Sequence, residues 1–135
     1  GREVYVPAGA SCALYPGRGP GTPHYDDAPP PFKESLAALD GGREDAAAML
    51  DEILAAARKK DVLTLIQLLP RFEGDARART FDRMAELVPP PPGVDRHLAL
   101  KGDGPTIGRY WAALGLGELK WWKLGRDLSG PPNRP

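Results

Sequence analysis

Two histidines (His24 and His97), one cysteine (Cys12) and an acidic pair (Asp26–Asp27) are the side chains of this 135-residue chain best suited to chemistry. Their spacing assembles none. Zinc needs three or four nitrogen, sulfur or oxygen ligands, and neither histidine has a carboxylate or cysteine at ligand spacing within a shared element. Ser11-Cys12 has no base partner. No His, Lys or Arg lies within five residues of Cys12, so nothing local activates the thiol. No Gly-x-Ser-x-Gly elbow supplies an acyl-transfer nucleophile. Gly17-Arg18-Gly19-Pro20-Gly21 invites comparison with a phosphate-binding loop. It lacks the Lys-Ser/Thr ending, and Pro20 removes a backbone N–H that a phosphate would need. Asp26–Asp27 work as an acid pair only inside a cleft; before three prolines they read as solvated loop charges. The expectation is no catalytic residue, no cofactor and no metal. An enzyme would require distant groups to converge, for example His24, Asp26 and Arg109.

The aromatic residues are the better interaction candidates. Tyr110-Trp111 and Trp121-Trp122 hold all three tryptophans, and Lys120 and Lys123 flank the second pair. Adjacent tryptophans cannot face the same way on a helix, so one of Trp121 and Trp122 points off the core, and exposed Trp favours partner contacts. Stacked aromatics beside lysines also suit single-stranded nucleic acid. The plain alternative is packing that closes the end of a small core. Tyr110, Trp111, Trp121, Trp122 and Lys123 are thus the candidate protein interface.

These side chains must be positioned by two unlike regions. Of the 16 glycines and 16 prolines, 12 fall in the first 31 residues, which leaves no room there for a helix. Arg2 to Val6 alternates as a short strand, Pro7-Ala8-Gly9 turns it, and Ala10 to Tyr15 is expected to pair back as a hairpin. Pro16 to Pro23 reads as an extended strap. From Phe32 the pattern becomes helical. Helices are expected at about Pro31–Leu39, Arg43–Lys59, Asp61–Arg71 and Asp75–Val88. After the stiff Pro89–Pro92 spacer comes a short turn in Val94–Leu100, a helix capped by Asp103 and running to Leu114, and a last one over Glu118–Leu128. The third is apolar nearly all round and should be the enclosed centre, with Asp61 as its N-cap. The division is therefore an arm over 1–31, the expected end of an upstream β-domain, then a helical domain over 32–128 and a disordered tail over 129–135. The fold class is mainly α: five to six short helices in a compact orthogonal or HEAT-like bundle, with an N-terminal strand or hairpin and a Gly/Pro strap. The likeness to HEAT pairs is architectural, because no repeat near the expected period of about 40 residues appears.

Bulk numbers narrow the classes. Lys plus Arg equals Asp plus Glu, 18 each. The clustered positive charge that phosphate binding uses is missing from that balance, so no nucleic-acid partner is expected. No apolar run approaches the roughly 20 residues that span a bilayer, so membrane attachment would come only through an upstream segment. The chain opens within a strand pattern, which suggests a piece of something longer. A single cysteine leaves the compartment open.

One family likeness is carried by the opening residues. Gly1 to Cys12 (GREVYVPAGASC) followed by Arg18 to Pro23 (RGPGTP) resembles the closing strands of a FecR-type domain, where short Val-rich strands with V-x-V-x-x-G turns precede a C-terminal extension. Asp61–Leu69, Phe81–Pro91 and Tyr110–Trp122 are similar to helical extensions of such proteins. These are bacterial regulators of extracytoplasmic-function sigma factors, with a β-domain outside the inner membrane that relays a signal inward. The resemblance implies an extracytoplasmic (periplasmic), non-enzymatic region that contacts a protein partner or an upstream domain of its own polypeptide. The sigma-binding segment is not in this chain, and no catalytic residue is transferred. The alternative is a stand-alone helical scaffold whose HEAT-like pairs bind a protein or peptide.

Overall fold

The computed structural model describes residues 4, 6–15, 19–42 and 46–115. The fold is mainly α. Among the described residues, six helices, α1 (Pro30–Asp40), α2 (Ala46–Ala56), α3 (Val62–Leu68), α4 (Gly74–Leu87), α5 (Arg96–Leu100) and α6 (Gly104–Ala113), follow four two-residue strands. Short 3-10 turns, Lys59–Asp61 and Leu69–Arg71, bracket α3.

The apolar run around Ile66 is the hub. Every residue from Asp61 to Pro70 is buried, and Leu65, Ile66 and Leu68 have no exposed surface. Around it stand Phe32 and Leu36 of α1, Leu50 and Ile53 of α2, Phe81 and Met84 of α4, and Ile107, Tyr110 and Trp111 of α6, all in one core. Each helix contributes the stripe that its spacing dictates. Two prolines start α1, where an N–H has no intrahelical partner to lose. Gly42, at φ +83, ends it in a conformation costly for other residues. Pro70 removes an N–H at the end of α3, and the chain tightens into the 3-10 turn. Asp95 accepts from Leu98 N at 3.0 Å and Asp103 from Thr106 N at 3.0 Å, so α5 and α6 are both side-chain capped, Asp103 as expected.

Asp61 behaves otherwise. Its carboxylate makes no cap to α3. It turns back and accepts from the Arg58 backbone N–H at 2.8 Å and from the Arg58 side chain at 2.8 and 3.1 Å. Two of the α4 arginines reach into neighbouring elements. Arg83 donates to the Leu54 and Ala57 carbonyls, at 2.9 and 3.3 Å, and Arg77 to those of Leu69 and Leu100, each at 3.2 Å. They reach carbonyls at or near the ends of other elements; of these, the Leu69 carbonyl also accepts from the Phe72 N–H at 3.3 Å.

The arm closes on itself in an unexpected register. β1 (Ala10–Ser11) pairs antiparallel with β4 (His24–Tyr25), and β2 (Leu14–Tyr15) with β3 (Gly19–Pro20). The strap (β3) and the two residues after it (β4) supply these partner strands; of Arg2–Val6, the segment expected to pair, only Val4 and Val6 are described. Three buried residues then thread the strap into the body. Thr22 donates N–H and Oγ1 to Asp40, both at 2.8 Å, and Arg71 donates to Asp40 Oδ1 at 2.5 Å. Thr64 of α3 donates to the Pro23 carbonyl at 2.8 Å.

Candidate functional site

The chain reverses between α2 and α3 through Arg58, which is extended (φ −104, ψ 171), and then the 3-10 turn. That reversal sets Arg58, Lys59 and Lys60 side by side at the surface. Below them Val62 and Leu63 open α3. Across from them lie Val88, where α4 ends, and Ala113 and Leu114 at the end of α6. Tyr25 of β4 closes one side. Together these residues line a groove of about 600 Å³ with an apolar floor and a cationic lip.

Asp27, in the loop between β4 and α1, lies across that lip. Its Oδ1 accepts from Arg58 Nη2 at 3.1 Å and its Oδ2 from Lys60 Nζ at 3.2 Å. Hydrogen bonds first from Arg58 and then from Lys60 hold its carboxyl down at about 2. The same network, led by Asp61, raises the Arg58 pKa above its ordinary value. The Lys60 ammonium stands 4.5 Å from the centre of the Tyr25 ring, in cation–π geometry. Asp61 is fully buried beneath and holds Arg58 through Nε and Nη2, and that same Nη2 is shared with Asp27 at the lip, at 3.1 Å to each carboxylate. Lys59 is exposed and has no ion pair among the described residues.

The far wall is set by α6. Tyr110 donates its hydroxyl to the Val88 carbonyl at 2.5 Å, and its ring meets Phe81 edge-on, 5.8 Å between centroids at 74°. Burial pushes its hydroxyl up to about 12. The bond ties the end of α4 to α6 and thereby fixes the width of the groove.

The sequence-derived candidates fall in three places. Tyr110 and Trp111 are 1% and 2% exposed and pack in the core, so neither offers a face to a partner. Apolar packing outweighs presentation here, since both rings sit on the inner stripe of α6. Trp121, Trp122 and Lys123, with the Glu118–Leu128 helix and the 129–135 tail, lie outside the described residues. The three groups named for convergent catalysis line no part of the groove. Asp26 accepts from Ser11 Oγ, His24 Nδ1 is enclosed without a hydrogen-bond partner, and Arg109 donates to the Gly93 carbonyl at 3.4 Å. Among the described residues, no group of three or more His, Cys, Asp or Glu is placed to hold a metal ion, and no helix is long and apolar enough to cross a membrane. The groove itself escaped sequence reasoning. Arg58, Lys59 and Lys60 read as charges complementing a helix end, and only the fold brings Tyr25, Val88 and Leu114 to them.

Compared with protein-family models, curated proteins and solved structures, the chain matches none.

Proposed function

We propose that this chain is a non-enzymatic protein-interaction region and that the groove between the 58–60 lip, α3 and the ends of α4 and α6 is its docking surface. One observation carries the reading: half-buried Val88 and Leu114 and exposed Ala113, seated over the buried Val62 and Leu63, line an apolar concavity beside three adjacent cations. A concave apolar surface with a few polar groups at its edge is the usual form of a peptide-binding site. The test is selection from a random peptide library displayed on phage. The wild-type chain should enrich a consensus of apolar residues, and Val88→Gln and Ala113→Gln should lose it at unchanged thermal midpoints. Enrichment of the same consensus by both variants would place docking elsewhere and defeat the reading.

The finer proposal is a regulatory region of a FecR-like bacterial envelope protein, lying outside the inner membrane and serving a sigma-factor signalling pathway. Its support is the Gly1–Cys12 and Arg18–Pro23 pattern alone. A gene for an extracytoplasmic-function sigma factor beside this one would support it; an unrelated operon would remove its basis. The scaffold alternative draws on the succession of packed pairs, α1 on α2 and then α3 on α4. It predicts a ligand on the faces of those pairs, which Val88→Gln would leave bound.

A further inference from the structure

The charges around the groove are unevenly met. Arg58, Lys59 and Lys60 share one edge, and the opposite wall of Val88, Ala113 and Leu114 carries none. Two carboxylates are bonded to that edge among the described residues. Asp61 is buried and committed to Arg58. Asp27 binds Arg58 Nη2, which it shares with Asp61, and the Lys60 ammonium, yet its side chain is 62% exposed. Lys59 has neither. The Asp27 carboxylate thus reaches a preset pair of cations from a surface loop, without being built into the core. A carboxylate arriving from outside would meet the same two cations, already positioned, and Lys59 besides.

We infer that the groove accepts an apolar peptide segment bearing carboxylates, and that Asp27 is the intramolecular stand-in for one of them, competing for Arg58 and Lys60. This rests on the groove being the docking surface and adds the chemistry of its occupant. Apolar side chains of the segment cover Val88 and Leu114, while its acids take the lip, where charge complementarity selects partners and speeds encounter.

The experiment uses the full chain and two fluorescein-labelled amphipathic peptides of about 14 residues, one of leucine and glutamate, one of leucine and lysine, read by fluorescence anisotropy. The glutamate peptide should bind about tenfold more tightly, and the gap should narrow as salt rises from about 20 to 300 mM. Lys59→Glu should weaken the glutamate peptide about tenfold and spare the lysine one. Asp27→Asn should strengthen the glutamate peptide about threefold by removing the competitor. Ala113→Gln, at an exposed lining position, should weaken both. Equal affinities that both fall in Ala113→Gln would leave the docking surface standing and overturn its acidic preference. An Asp27→Asn variant that binds no better would overturn the stand-in role. Binding of neither peptide would overturn the inference and the docking surface together.

Discussion

Asp40 inside the body and Asp27 at the groove's lip each hold an arginine, at 2.5 and 3.1 Å, and their side chains are 5% and 62% exposed. At the buried site the carboxylate is answered on every side: Arg71 gives one hydrogen bond, Thr22 two, and Arg71 also reaches Thr22 Oγ1. Taking a charge out of water is repaid only by this completeness, and losing one partner then strands the others. At the lip water already solvates both ions, so the pair adds little to stability and can exchange its carboxylate. The same two residue types therefore make an anchor in one place and an exchangeable contact in the other. Burial decides which.

The sharpest way to break that contrast is Asp40→Ala. It leaves Arg71 and the Thr22 N–H without their acceptor and should cost about 3 kcal/mol by urea denaturation. A loss under about 1 kcal/mol would put Asp40 in the class of surface pairs and dissolve the distinction. Thr64→Val keeps the shape of α3 but strips the Pro23 carbonyl of its donor, for about 1–2 kcal/mol. A neutral result would show that the strap is held at Thr22 alone. Tyr110→Phe should cost about 1 kcal/mol for the lost bond to Val88. It also has a signature in base. The folded hydroxyl titrates at about 12 against an ordinary 10.0, so its contribution is complete below pH 10 and is lost as pH rises through about 12. The wild type should weaken over that window more than the phenylalanine variant. The smallest effect is expected of Asp27→Asn, with no measurable change in the neutral-pH midpoint. Its carboxyl is held at about 2 against 3.8, so whatever it contributes is present above pH 3.8 and disappears as pH falls through about 2. Acid titration of the two chains should converge at the bottom of that window.

The elements whose physics is local were legible from the residues. The apolar run Val62–Leu69 announced a buried centre, and Asp103 before Gly104-Pro105 announced a cap; both stand so. Asp61 failed as a cap because a cation three residues upstream outbids the helix's own N–H groups for its carboxylate. The arm's hairpin character was legible, but not which residues serve as partner strands, because Gly and Pro hide strand preference. Ala10–Ser11 finds its partner at His24–Tyr25, while Val4–Val6 had looked the better strand. The groove could not be read at all. Arg58–Lys60 is one segment, but Tyr25, Val88 and Leu114 reach it only by packing, and no spacing rule encodes that convergence. Tyr110 and Trp111 were legible as apolar payload and misleading as a surface, since their helix stripe faces inward.

A helix with no solvent face has a bearing on how this molecule can be watched. From Val62 to Leu68 every residue of α3 is buried, and Thr64, Leu65, Ile66 and Leu68 have no exposed surface. Deuterium can reach the amides of its last turn only when the whole body opens. Exchange at Leu65, Ile66 and Leu68 is therefore a clock for global unfolding, whereas exchange at Lys59 and Lys60, on the exposed turn next door, follows local events. One exchange experiment on one stretch of ten residues thus separates a ligand that steadies the entire fold from one that only quiets the rim.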